Sequence, residues 1–479
     1  MQKLNQFWKS YRFYLTFIIL FVGLFLIFKP LQSTKFYGFE YEDSFISAHV
    51  SSQESLSPFM VEYRTQGCES RVNGKCISVS SYTGHYITYS AYLYTIAKIF
   101  NIESPYLIYK LGNALLFGLC FLLVFILYEN SLMSITLMVA LISCLPAVYV
   151  FNSGLIENLS FSLGLILIVS LHQHLSKGNK WWLWLSFVLL LILVIVKREN
   201  LIYLSVLLLY SPKLLFKNTG FWIFTFCLII SQYLINPFYT EGLEASHLGR
   251  NTFSLDYFIF QFPTYLKSFF RLDGFVILLV FVLLSKKPTK KSLILISIWF
   301  AFILLYSFHY RGQYAIKAGE ISHFESFRYM FNTIPLLIGF FIFGNKRKQT
   351  FQYIISTTLL VLSSYLIINN FEMLKEFGRE EFSEYHNINL KINSLSKNDK
   401  KIAIHDNFVL ISMLNSKSDS IDIFTARENY LEYVMGYTNI LINRFDIIDI
   451  EKFNEDFKFE EINELSSNGV KVYYFKECF

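Results

Sequence analysis

Apolar runs separated by short polar turns fill the first three quarters of the chain. Phe13–Phe28 is almost wholly apolar, and at about 1.5 Å per residue a helix there crosses most of a hydrocarbon core about 30 Å thick. Further runs of spanning character lie at Tyr106–Tyr128, Leu132–Val150, Leu155–Leu171, Trp181–Val196, Leu201–Phe216 and Phe221–Ile235. Four more follow at Leu266–Leu284, Leu293–Phe308, Tyr329–Gly344 and Phe351–Ile368. The pattern predicts a polytopic helical bundle of about eleven transmembrane helices. Past Phe371 it changes to mixed charged and apolar positions. Lys401–His405, Ile421–Phe424, Phe445–Ile450 and Val470–Phe475 read there as short β-branched-rich strands, with helical patterns at Ala426–Tyr437 and Phe459–Leu465 between them. The expected organisation is a transmembrane domain over residues 1–370, with a long first loop at about 30–105, and a small soluble α/β domain over 371–479.

Charge orients the bundle. Lys3, Lys9 and Arg12 precede the first run, and Phe28-Lys29-Pro30-Leu31-Gln32 follows it without a small-residue cleavage site. The run is therefore read as an uncleaved helix with its N-terminus inside. Alternation then puts Lys177 and Lys180, Lys213 and Lys217, Lys286 to Lys291, and Lys346-Arg347-Lys348 on the inner side, in keeping with the positive-inside rule. The long first loop and the C-terminal domain fall together on the outer side.

Composition agrees and narrows the partners. Of 479 residues 54% are hydrophobic and only 16% charged, against about 25% charged in soluble domains. The net charge of +6 is modest, and no basic stretch interleaved with aromatics offers a nucleic-acid groove. Six cysteines are too few for a disulfide scaffold, and Cys120, Cys144 and Cys227 sit within apolar runs as small hydrophobes. No metal-ligand cluster, Gly-rich phosphate loop or Ser/His/Asp set emerges, and no metal or cofactor is expected.

The candidates for chemistry gather at the outer ends of the spans. Glu42 and Asp43 stand among Phe39, Tyr41 and Phe45, about a dozen residues beyond the first run. They are either a solvated turn or, where Asp43 opens a short interfacial helix, a carboxylate placed to accept a proton from an attacking hydroxyl. The tyrosine-rich stretch Gly84–Phe100 reads as an interfacial helix with His85 at its head, as an interface histidine or a catalytic one. Lys197-Arg198-Glu199 departs from the charge pattern, lying in a predicted outer turn; it is a salt-bridged turn or an anion site. Arg328, Arg311 and Lys317 pose the same choice. Arginines converging there would suit a phosphate leaving group. Glu157 lies at another outer helix end and could orient substrate or partner an Arg. Cys68 and Cys76 bracket seven residues on an oxidising face, where a disulfide or free thiols fit.

Taken together, these features resemble the GT-C superfamily of integral-membrane glycosyltransferases, which contains the protein O-mannosyltransferases and bacterial aminoarabinose transferases. Those families carry an acidic pair in the first outer loop, as Glu42-Asp43-Ser44-Phe45-Ile46 does here. Ser153-Gly154-Leu155-Ile156-Glu157 resembles their Ser-Gly-x-Glu helix start with one extra residue. Lys197-Arg198-Glu199-Asn200 echoes a Thr-Arg-Pro-Glu turn without its proline, and Arg328-Tyr329 through Pro335 is similar to their Arg-Tyr…Pro helix start. Two departures stand out: the first acid is Glu rather than Asp, and Gly84-His85 occupies the place of a Pro-rich turn.

The resemblance implies transfer of a sugar from a polyprenyl-phosphate donor to a hydroxyl acceptor on a glycan, lipid or protein. The transfer would take place at the outer face of a bacterial cell membrane, usually with inversion and without a metal. It makes Asp43 the general base and Glu42 its neighbour in positioning the acceptor. Arg198, Arg328 and Arg311 would bind the lipid phosphate, with Lys197, His85 and Glu157 nearby. Two other classes share the polytopic pattern. A lipid-linked oligosaccharide polymerase or ligase usually places its large outer loop late in the chain, and here it comes first. A transporter or flippase needs charges near mid-membrane, where these spans are nearly bare.

Overall fold

A computed structural model describes residues 71–72, 75–76, 83–102, 105–127, 131–151, 156–211, 215–231, 254–272, 274–308 and 330–377. In the C-terminal part it describes 400–405, 421–426, 440–444, 450, 457–463, 466 and 470–477. The chain is mostly helical and divides into two compact units, one containing Lys110–Phe377 and the other Gln32–Tyr109 with Gly378–Phe479. The first apolar run, Phe13–Phe28, lies outside the described residues.

In the helical unit α2 (Pro105–Leu127), whose first turn begins in the other unit, is followed by α3 (Ser131–Ile142) and α4 (Leu145–Phe151). One continuous span was expected over Leu132–Val150. Ser143 and Cys144 interrupt it, and Pro146 at the second position of α4 has no N–H to carry the helix through. α5 (Glu157–Lys177) and α6 (Lys180–Val196) form a tight antiparallel hairpin. Gly178 ends α5 at φ 70°, donating its N–H to the His174 carbonyl at 2.8 Å, and Asn179 caps α6 by accepting from the Trp181 N–H at 2.9 Å. Glycine is the residue that takes this left-handed C-cap without a Cβ penalty.

The expected α-helical span Leu201–Phe216 is replaced by a 3-10 helix, Arg198–Leu209, that ends at Tyr210. Its twelve residues form an unusually long run for this helix type. The reason is visible in its burial: Asn200, Tyr203, Val206 and Leu209 are its buried residues, spaced by three, the number per 3-10 turn. α7 (Thr219–Ser231) follows. Leu266–Leu284 is not one span either. The amphipathic α8 (Leu255–Phe269) buries Gln261, Tyr265 and Phe269, and α9 (Val276–Ser285) starts afresh after Arg271-Leu272-Asp273-Gly274, where charge and glycine break the apolar run.

α10 (Lys290–Ser307) is opened by a capping box between Thr289 and Ser292. α11 begins at Ile334, later than the expected Tyr329, because Pro335 suits a first turn and Asn332-Thr333 form a turn before it. Every residue of α11 (Ile334–Phe343) is buried, as an all-round apolar helix requires. α12 (Gln349–Phe377) closes the unit. Among the described residues three helices have the length and apolar character to cross a membrane: Glu157–Lys177, Lys290–Ser307 and Gln349–Asn369. Phe151 packs edge-on to Phe117, Phe161 and Phe331 at centroid distances of 4.5, 5.7 and 5.3 Å, an aromatic core that joins α2, α4, α5 and the approach to α11. Cys120 and Cys144 are free and buried.

The second unit holds a short hairpin, β1 (Arg71–Val72) and β2 (Lys75–Cys76), whose register leaves Asn73-Gly74 between the strands, a favoured pair for a two-residue connection. It also holds α1 (Thr83–Phe100), the expected tyrosine-rich helix. Two small strands in the helical unit, β3 (Lys286–Lys287) and β4 (Asn345–Lys346), pair antiparallel.

The C-terminal sheet has five strands in the order β6-β5-β7-β9-β8. β5 (Lys400–His405) pairs parallel to β6 (Ile421–Ala426) and β7 (Ile440–Arg444); β9 (Val470–Glu477) runs antiparallel to β7 and β8 (Phe457–Glu461). β5, β6 and β9 match the expected strands. A further strand, Ile440–Arg444, precedes the expected Phe445–Ile450, of which all but Ile450 lies outside the described residues. The expected helix Phe459–Leu465 starts instead within β8, where Phe457-Lys458-Phe459-Glu460 alternates with a period of two and Lys458 and Glu460 are exposed. Of the expected helix Ala426–Tyr437, Ala426 ends β6 and the rest lies outside the described residues.

Candidate functional site

The α5–α6 hairpin brings the start of one helix beside the end of the other, and both termini carry charge. Glu157 is the first residue of α5; Lys197 is the C-cap of α6. The Lys197 Nζ donates to Glu157 Oε1 at 2.8 Å, with the carboxylate fully buried and the lysine nearly so. A carboxylate at a helix N-terminus and an ammonium at a C-terminus are each favoured by the helix dipoles, and here the two favourable places coincide.

Buried amides frame this pair by donating to carbonyls in the last turns of helices. Asn158 Nδ2 donates to the Val150 carbonyl at 2.7 Å and Asn113 Nδ2 to that of Phe151 at 3.0 Å, both at the end of α4. Asn200 Nδ2 donates to the Leu193 carbonyl in the last turn of α6 at 2.9 Å, and to Ser160 Oγ at 3.0 Å. The Tyr203 hydroxyl donates to the Asn332 carbonyl in the turn before α11. Lys110, one helical turn before Asn113 on α2, is also buried.

The 3-10 helix is what keeps these contacts in step. Ser160 meets Asn200, and Gly164 lies against Tyr203. Four residues of α-helix and three of 3-10 helix both rise about 6 Å, so successive contacts stay level. Gly164 is required at its place: a Cβ there would stand 2.5 Å from the Tyr203 hydroxyl oxygen and 3.1 Å from Pro335 Cγ. Asn200 Oδ1 and Asn332 Oδ1 are buried without a hydrogen-bond partner among the described residues.

Of the residues singled out in the sequence, the structure brings Glu157 and Lys197 together. Arg198 opens the 3-10 helix directly after Lys197, with its backbone alone described. His85 is in the first turn of α1 and Cys76 in β2, again described by backbone alone. Glu42, Asp43, Cys68, Arg311, Lys317 and Arg328 lie outside the described residues. Sequence reading passed over Lys110, Asn113, Asn158, Asn200, Tyr203 and Asn332. The signal for Lys110 was a lysine inside an apolar run, which calls for a partner. The signal for Asn200 and Tyr203 was their spacing of three from Lys197.

No protein-family model matches the chain, and no curated protein matches it in sequence. Solved structures do. The crystal structure of ArnT from Cupriavidus metallidurans in the apo state is similar with a TM-score of 0.61 over 98% of both chains, at 9% sequence identity. The same protein bound to undecaprenyl phosphate is similar with a TM-score of 0.59 over 97% of both chains, also at 9% identity. The GT-C resemblance read from the sequence is borne out at the level of fold: nearly the whole chain is laid out like ArnT.

Proposed function

We propose that this chain is a GT-C glycosyltransferase that moves a sugar from a polyprenyl-phosphate donor to a hydroxyl acceptor. The observation that carries the reading is the end-to-end similarity to a protein solved with undecaprenyl phosphate bound. In this reading about eleven helices cross a bacterial cell membrane, the N-terminus is inside, and the first loop and C-terminal domain are outside. The reaction inverts the anomeric centre and needs no metal or cofactor.

Asp43 takes the proton from the acceptor hydroxyl as its oxygen attacks the anomeric carbon, and the lipid phosphate leaves as an anion. Glu42 positions the acceptor, with His85 near it. Arg198, Arg328 and Arg311 stabilise the departing phosphate. The Lys197 charge is already matched by Glu157 at 2.8 Å, so this pair holds the turn while the next residue, Arg198, supplies the charge for the phosphate. A Cys68–Cys76 disulfide would tie down the first loop.

The test is release of polyprenyl phosphate by the purified protein from a mixed set of lipid-linked sugars, comparing wild type with Asp43→Asn. Turnover is expected to fall by about a hundredfold or more, since loss of a general base costs about 10²–10⁴ in rate, while donor binding persists. Normal turnover by Asp43→Asn would remove the acidic pair from the mechanism.

A further inference from the structure

The C-terminal sheet is wound in two directions from one strand. β5 comes first; β6 pairs on one side of it and β7 on the other, both parallel to it. β8 runs the same way as β7, because each is antiparallel to β9 between them. Four of the sheet's five strands therefore share a direction, and the order reverses between β5 and β7. Leu441 pairs with Tyr473, which puts Leu441 and Val472 on opposite faces of the sheet, and both are fully buried. Both faces are covered, the setting in which parallel strands are found.

A sheet wound outward in this way leaves a crevice beyond the carboxyl ends of the two strands at the reversal, and ligands of doubly wound folds bind there. Here those ends are His405 on β5 and Asn443-Arg444 on β7. Ile404 pairs with Ile442, so one more step of the same register sets His405 level with Asn443 on one face. Arg444 stands a step further along, on the other face. Ala426, the last residue of β6, is level with His405 on its other side.

The residue types at these ends select the class of ligand. An imidazole, an amide and a guanidinium bring donors and acceptors to one edge of the sheet. In the sequence Asp406 directly follows His405, and Asp446 comes two residues after Arg444, so carboxylates accompany the guanidinium and the edge is not built for a bare anion. A nucleotide is disfavoured for a second reason. Phosphate binding at the first turn of such a fold uses glycines to let the backbone approach, and residues 406–420, which lead from β5 to β6, contain none. A neutral ligand with several adjacent hydroxyls suits the edge better, because each hydroxyl both donates and accepts.

We infer that the carboxyl ends of β5 and β7 form a saccharide-binding site, with His405, Asn443 and Arg444 as its hydrogen-bonding residues. The inference stands on the C-terminal sheet and does not rest on the sugar transfer proposed above; the site binds a neutral glycan without changing it.

The test uses the full-length protein in a polyoxyethylene detergent, which carries no sugar of its own. The probes are neutral trisaccharides of glucose, mannose, galactose and N-acetylglucosamine, with inorganic phosphate and AMP for comparison. Binding is titrated by calorimetry, and hydrogen exchange is compared with and without each probe. At least one trisaccharide should bind and slow exchange at the carboxyl ends of β5 and β7. His405→Ala and Asn443→Ala should each weaken it about tenfold, as loss of one hydrogen bond does, with the unfolding midpoint unchanged. Lys400→Gln/Lys458→Gln, at the amino ends of β5 and β8, should bind normally. Silence across all four trisaccharides overturns the site. Protection confined to the first loop or the helical unit overturns it too, and binding of phosphate or AMP alone replaces the saccharide by an anion. The exchange pattern of wild type decides the matter even where a variant fails to fold. Transfer is assayed alongside: an inactive protein with a trisaccharide bound at these strand ends keeps this inference and loses the transferase reading, and an active protein without protection there does the reverse.

Discussion

Replacing Lys197 by methionine leaves the Glu157 carboxylate buried with its 2.8 Å partner gone. At an effective dielectric of about 20, two unit charges at that separation attract by about 6 kcal/mol. Desolvation of both ions offsets several kcal/mol of this, so the intact pair adds little net stability. Breaking it is another matter: removing one partner of a buried ion pair typically costs about 3–5 kcal/mol, a large share of the about 5–15 kcal/mol that holds a domain folded. Lys197→Met and Glu157→Gln should therefore each lower stability strongly. The double variant Glu157→Gln/Lys197→Met, which buries no charge, should recover most of the loss. Chemical unfolding in detergent of wild type, both single variants and the double variant closes the cycle. A coupling of about 2–3 kcal/mol is expected. If Lys197→Met costs under about 1 kcal/mol and the cycle shows coupling under about 0.5 kcal/mol, water reaches the pair and the argument from burial is wrong.

Gly164→Ala should destabilise by about 1–3 kcal/mol, because its methyl group would drive into the Tyr203 hydroxyl and Pro335; a thermal midpoint within a degree of wild type would refute the close packing. Tyr203→Phe removes the donor to the Asn332 carbonyl and should cost about 1–3 kcal/mol in unfolding, with no loss expected if water replaces the hydroxyl. Lys286 sets a pH dependence. Its folded pKa of about 8 lies below the ordinary 10.5, so between those values the unfolded chain binds the extra proton and stability rises with pH. Comparing unfolding midpoints of wild type and Lys286→Met from pH 7 to 10.5 should show wild type gaining relative to the variant; parallel curves would place the amine in solvent.

Much of the bundle was legible because sustained apolar runs parted by polar turns report helices and their ends directly. The errors came where the chain departs from the 3.6-residue period. Arg198–Leu209 is apolar enough to pass for an α-helix, and only the recurrence of Lys197, Asn200 and Tyr203 at every third position betrays the tighter pitch. The α3–α4 break was announced by Ser143 and Pro146, but the apolar residues on either side of them masked it as a single run. In the C-terminal sheet Phe457-Lys458-Phe459-Glu460 alternates plainly, yet Glu460-Glu461 and Leu465 drew the reading toward a helix. The Glu157–Lys197 contact was within reach of the sequence. The two stand 21 and 19 residues from Gly178, so a hairpin turning at that glycine sets them opposite each other. What no pattern could supply was the set of carbonyls to which Asn113, Asn158 and Asn200 donate, because those depend on where two helices happen to stop.

The 3-10 helix also changes how far the chain reaches. Twelve residues at about 2.0 Å each extend about 24 Å, where an α-helix of the same length would stop near 18 Å. Rewinding the segment to α would draw its far end in by about 6 Å and turn each third side chain 60° further off the common line, so the stretch behaves as a taut cord. Lys197 at one end and Tyr203 midway are pinned to separate parts of the bundle, and the sequence between them must keep its count: adding or deleting one residue there would release one anchor or the other.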